Sequence, residues 1–259
     1  MSTGESLLNR PAKKPHYALL DTVRGICIIS MVAYHGMYDL VDIFHLPGAW
    51  YNDWPGYLWQ QSICWTFILL SGMCWQLSRH HVKRGLILVG CATAITVITW
   101  AVMPSQRILY GVLNLLGLSA LLLIPLDKLF RKIPPLVGFV GALAVFFVTR
   151  NIPRGSFGFE GLVFWQLPEV LYRSDIPAVL GFPSPQFYST DYFPLIPWFF
   201  LFCAGYFLWS ILSKSDRAKQ LLMVGVRPLQ FLGRHSLVIY LAHQPVLMGI
   251  FLLLGQLAA

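Results

Sequence analysis

The chain has 259 residues, 56% of them hydrophobic and only 12% charged, with a mean hydropathy of +0.62. Soluble domains carry about twice that charge, and the apolar residues fall in runs near the roughly 20 that a bilayer core demands, which excludes an ordinary soluble protein. The formal charge of +8 is what the cytoplasmic loops of a membrane protein supply; without a zinc-knuckle or RNA-binding signature it points to no nucleic-acid partner.

In chain order, the polar stretch 1–17 lacks the apolar centre of a cleavable signal peptide and is expected to be a cytoplasmic tail. Spanning helices are expected over 18–43, 56–78, 85–103, 109–127, 133–149, 192–212 and 234–256. The expected fold is therefore all-α, a polytopic transmembrane bundle of about seven (six to eight) helices forming a single domain over 18–259 in the lipid bilayer. With the N-terminus cytoplasmic, fifteen Lys and Arg residues fall on the inner side. Only Arg107, Arg150, Arg154 and Arg173 fall outside, which supports that orientation. Residues 150–191 form the one long outer connection, too aromatic for disorder: an interfacial aromatic belt or a lid over an outward-facing pocket. An eighth, shorter span near 157–172 would invert the polarity of the later helices. The five cysteines lie inside apolar runs without a CxxC pair and read as small buried hydrophobes. No His/Cys cluster has metal-ligand spacing, so no metal is expected.

The first helix is the most informative segment. With Asp21 set to 0° and about 100° per residue, Arg24, His35, Asp39 and Asp42 all fall within one sector of about 60°. The opposite face is Ile, Val, Met, Ala and Cys. Ionisable groups in a membrane face the bundle interior or a water-filled cavity. His35 lies 11 residues past Arg24, roughly 16 Å along the axis, and Asp39 comes one turn later, within reach of the imidazole. A carboxylate there would fix the tautomer of His35 and stabilise its charged form, the makings of a general base.

The segment LLDTVRGICIISMVAYHGMYDL (19–40) resembles the first helix of the heparan-α-glucosaminide N-acetyltransferase-like membrane family. The ten-residue interval between Arg24 and His35 resembles the hallmark of a wider superfamily of membrane acyltransferases that decorate cell-surface glycans. Further likenesses are CWTFILLSGMC (64–74), RILYGVLNLLGLSALL (107–122), DYFPLIPWFFLFCAGYFLW (191–209) and FLGRHSLVIYLAHQPVL (231–247), in the family's order over most of the chain. The chain looks like a short, bacterial-type, catalytic-domain-only member in the inner (plasma) membrane. The heparan substrate itself is not carried over, because the extra helices and luminal domain are missing.

The resemblance implies transfer of an acyl group, in particular acetyl, from cytoplasmic acyl-CoA (acetyl-CoA) to the oxygen or nitrogen of a glycan or cell-envelope acceptor. Asp21, Arg24 and the basic segments 79–84 and 227–234 lie where CoA phosphates would be. His35 would act as base or transient acyl carrier, oriented by Asp39. Asn114 could polarise the thioester carbonyl or simply bond between helices. Arg107, opening its helix, could pair with Asp39 or Asp42 or snorkel. His243 and Gln244 could hold the acceptor or supply a second base, or serve packing. Arg234 and Ser236 could meet CoA or cap the last helix. His16, His80 and His81 are expected to be solvated. A homodimer is left open. From another class, a proton-coupled transporter or flippase could use the same stripe as a relay, although no inverted repeat supports it.

Overall fold

The computed structural model describes residues 15–258; Arg10, Lys13 and Lys14 of the expected tail lie outside them. The helices are α1 (Ala18–Tyr38), α2 (Ala49–Asn52), α3 (Trp54–Trp75), α4 (His81–Val102), α5 (Val112–Phe130), α6 (Pro135–Thr149), α7 (Leu195–Leu212), α8 (Asp216–Met223), α9 (Arg227–Arg234) and α10 (Ser236–Ala258). Among the described residues six segments are long and apolar enough to cross a membrane: Ala18–Ile43, His81–Val102, Val112–Phe130, Pro135–Arg154, Leu195–Leu212 and Ser236–Leu254. The seventh expected span is also a helix, α3, but Gln60, Gln61, Ser62, Thr66 and Ser71 make it more polar. The architecture is an all-α, multi-pass membrane bundle.

The chain forms two compact units, one from its two end segments (residues up to Gly48 and from Ser215 onward) and one from Ala49–Lys214. In the first, α1 packs on α8, α9 and α10. Its closest approach needs glycines: a Cβ at Gly25 would lie 2.0 Å from the Leu229 carbonyl oxygen, and one at Gly233 2.0 Å from that of Asp21. The Gly25→Ala substitution is expected to push α9 off α1 and lower stability by about 1–3 kcal/mol. Gly90→Ala on α4, with nothing within 4 Å of the added carbon, should instead gain up to about 1 kcal/mol. Thermal melts of both variants in one detergent check the pair.

In the second unit, α7 is the hub, packed against α3, α5 and α6. Ile68, Leu115, Leu123, Phe146, Leu201 and Phe202, all essentially inaccessible, form its core. The 150–191 connection departs from one of its expectations. Over 157–172 there is no span but an antiparallel hairpin, β1 (Ser156–Phe159) with β2 (Leu162–Gln166), followed by a 3₁₀ turn at Glu169–Tyr172. SFGFEGLVFWQ places four aromatic residues and Val163 around a Glu-Gly turn, which is hairpin chemistry.

Candidate active site

The polar sector of α1 meets polar residues of α9 and α10 at two levels. At the lower level Asp21 is the connector. Its carboxylate accepts from Arg24 Nη1 at 3.1 Å and Arg234 Nε at 3.2 Å, and lies 2.8 Å from His16 Nε2. Two guanidiniums on one carboxylate leave an excess of positive charge, the setting that binds phosphate oxygens in pairs.

The upper level, roughly 16 Å along α1, is built on His35 and on the π-helical turn Asp39–Ile43 that continues the helix. His35 and His243 face each other with ring centroids 4.7 Å apart. Asp39 is fully buried and accepts a 2.5 Å hydrogen bond from Gln244 Nε2. The expected His35–Asp39 pair does not form: no hydrogen bond joins them among the described residues. The helix widens at Asp39, where the backbone bond runs from Phe44 N–H to the Asp39 carbonyl, five residues back (2.9 Å). The turn from His35 to Asp39 is itself still α-helical, the Asp39 N–H bonding the His35 carbonyl, so the pair is lost to competing partners: Gln244 takes the Asp39 carboxylate and His243 faces His35.

His243 has its tautomer fixed instead. Its Nδ1 lies 2.6 Å from the Tyr240 carbonyl oxygen. A carbonyl only accepts, so Nδ1 carries the hydrogen and Nε2 keeps its lone pair. That Nε2 is buried without a partner, as are Asp39 Oδ2 and Gln244 Oε1. Three orphaned polar atoms on three neighbouring side chains are uncommon in a folded interior and mark a place prepared for polar chemistry. Pro245 comes next and deprives the Leu241 carbonyl of its usual i+4 partner, loosening the turn that carries His243 and Gln244.

Residues 16–245 match the family described as heparan-alpha-glucosaminide N-acetyltransferase, catalytic. The chain belongs to this family. The match starts just before α1 and ends just past His243 and Gln244, so both walls of the histidine site lie inside it. No curated protein and no solved structure matches the chain. Family membership makes this a multi-pass membrane protein of an acetyltransferase family.

For this acetyltransferase-family chain, the structure brings Asp21, Arg24 and Arg234 together at one level and His35, Asp39, His243 and Gln244 at the other. Ser236 opens α10 and Asp42 lies in the π-helical turn. Asn114 and Arg107 belong to the second unit, and both differ from expectation. Asn114 is not mid-span but in the first turn of α5, its amide without a hydrogen-bond partner among the described residues. Arg107 does not open that helix: it precedes it in an extended segment and donates from Nε to the Tyr188 carbonyl at 3.2 Å, its guanidinium 5.6 Å from the Tyr188 ring. Tyr110 has φ 55°, which a helix start does not tolerate, and Phe193 N–H bonds the Tyr110 carbonyl at 2.9 Å. Pairing with residues 188–193 has thus taken the place of the first expected turn. Among the described residues no group of His, Cys, Asp and Glu is arranged to hold a metal ion.

Two features were missed from sequence. One is a network in the second unit around Arg150, whose side chain is only 11% exposed. Its Nε lies 3.2 Å from Glu160 Oε1, its Nη2 donates to Gln61 at 3.2 Å, and its guanidinium sits 4.7 Å from the Trp198 ring. Tyr57 donates its hydroxyl to the same carboxylate, and Arg154 holds the other oxygen at 3.1 Å. Burial alone would push the Glu160 carboxyl up, but the Tyr57 hydroxyl and the two guanidiniums hold it below the usual carboxylate range. The signal was present: Glu160 is the acid nearest two arginines otherwise counted as loop charges. The other is a polar basin of about 960 Å³ in the long connection, lined by residues including Arg154, Gln166, Glu169, Tyr172, Arg173 and Gln186.

Proposed function

We propose that this chain transfers an acetyl group from cytoplasmic acetyl-CoA to a hydroxyl or amine of a glycan or other cell-envelope acceptor, and that its histidine pair does the proton work. The observation that carries this reading is His243, its tautomer fixed and its Nε2 lone pair buried opposite His35. One neutral imidazole takes the proton of the acceptor O–H or N–H as that atom attacks the thioester carbonyl. The C–S bond then breaks, and the thiolate of CoA leaves with the proton returned from the imidazolium. Two cationic rings 4.7 Å apart would repel, so the pair carries one proton at a time and always keeps one ring as a base. Asp39, held by Gln244, offers its second oxygen to the same space. Arg24 and Arg234 would bind the CoA phosphates. The excess of Lys and Arg on the N-terminal side supports an N-in orientation in the plasma membrane. The basin of the long connection, with amides, a carboxylate, arginines and a tyrosine, has the chemistry to hold a sugar.

The deciding experiment incubates purified protein with radiolabelled acetyl-CoA and a crude envelope fraction. Label should pass to a glycan-containing product, and Arg24→Ala and Arg234→Ala together should raise the acetyl-CoA concentration needed by at least about tenfold, since each lost charge-assisted contact removes roughly 1.5–3 kcal/mol. Absence of any CoA binding would overturn the proposal in favour of transport through the same polar stripe.

A further inference from the structure

Away from the histidine pair, the second unit carries a cavity of about 770 Å³ where α4 begins, with Arg79, His80, His81, Lys83, Leu86 and Ile124 among its walls. Its two sides differ in chemistry. Arg79, His80, His81 and Lys83 are basic or imidazole, and no acidic side chain lines the space. Leu86 stands one turn beyond Lys83 on α4, about 4.5 Å further along the axis, and Ile124 faces it from α5. Because α4 is a candidate membrane span that starts at His81, the basic side marks the end of the span and the apolar side lies one turn within it.

The walls are held in place. A Cβ at Gly85 would meet Leu121 at 2.7 Å and one at Gly117 would meet the Val89 backbone nitrogen at 2.9 Å, so α4 and α5 touch backbone to backbone. His81 is not the solvated loop histidine that its neighbours suggest. Its ring stacks on Trp75 at 3.9 Å with 19° between planes, and Trp75 is itself buried, donating to the Ala120 carbonyl at 2.9 Å. Nδ1 of His81 is buried without a hydrogen-bond partner. The nearby acid, Asp127, is already committed to the Tyr206 hydroxyl at 2.7 Å and to Arg131 at 2.8 Å. The cations of the cavity therefore have no acid of their own among its walls.

We infer that this cavity binds the headgroup of an anionic phospholipid, phosphate against Arg79 and Lys83 and the first methylenes of an acyl chain along Leu86 and Ile124. Basic pockets at the ends of spanning helices select such headgroups by charge, and charge-assisted bonds to phosphate are the stronger kind. The apolar side favours a lipid over a free anion, which would leave it uncovered. This site is independent of the transfer chemistry and stands or falls without it.

The test uses the full chain purified in a neutral detergent, its thermal midpoint followed against added phosphatidylglycerol, phosphatidylcholine, inorganic phosphate and CoA. Phosphatidylglycerol is expected to raise the midpoint and to bind at least about tenfold more tightly than phosphatidylcholine. Arg79→Ala with Lys83→Ala, both exposed positions, should fold normally and lose that preference. His81→Phe should keep the stack on Trp75 yet weaken the preference. Equal shifts from both lipids, a shift that survives the double substitution, or an equal shift from phosphate or CoA alone would each overturn the assignment.

Discussion

Replacing His243 by alanine is expected to lower acetyl transfer by about 10²–10⁴-fold, the usual worth of a positioned acid–base group, while acetyl-CoA binding should hardly change. The same loss is expected for His35→Ala. The two rings stand 4.7 Å apart and share one proton-handling task, so the double variant should be hardly worse than the poorer single one. The sharper probe is Gln244→Leu. It leaves both imidazoles but removes the 2.5 Å bond to Asp39, freeing a fully buried carboxylate. Transfer should fall through kcat, and the pH profile of kcat should move while KM for acetyl-CoA stays put. A variant lacking both histidines that transfers label at the native rate would remove the catalytic assignment altogether.

Arg150→Met should cost about 3 kcal/mol of stability, the low end for breaking a buried pair by removing one partner, because Glu160 keeps 22% of its side chain exposed and retains Arg154. The cost has three sources: a carboxylate left with one cation, a Gln61 oxygen left with Trp65 alone at 2.9 Å, and a Trp198 face without its guanidinium. Glu160→Gln should cost less, with a definite pH dependence. The folded-state pKa of Glu160 is depressed, so its contribution is present above the ordinary carboxylate pKa of about 4.3 and is lost as pH falls through the lower folded value. The gap in thermal midpoint between wild type and Glu160→Gln should therefore be widest near neutrality and close in acid. A gap that widens on acidification would contradict the network as described.

What could be read from the residues was set by periodicity. The α1 stripe was legible because a straight helix maps sequence onto angle, and all seven expected spans are helices within a few residues. The partners of that stripe were not. Gln244 reaches Asp39 across 205 positions, and no local rule connects them. The His35–Asp39 expectation failed although the turn between them is α-helical, because α10 brings Gln244 to Asp39 and His243 to His35. Asn114 and Arg107 were misplaced because a run of apolar residues does not reveal that its first members pair with a strand-like segment 80 residues later, as Leu109 does with Ser189. His81 was misjudged because neighbouring charges suggested solvent, whereas Trp75 supplies a stacking surface that spacing does not disclose.

The histidine site draws one wall from α1 and the other from α10, with the whole second unit encoded between them. That order has a consequence for biogenesis. During synthesis at about 5–20 residues per second, the 208 positions between His35 and His243 take roughly 10–40 seconds to add. Through that interval His35 and Asp39 are in place while His243 and Gln244 do not yet exist. Ionisable groups at membrane depth are costly until they are paired or face a cavity. Until α10 is made, Asp39 lacks the Gln244 amide and His35 the His243 ring that face them in the folded chain.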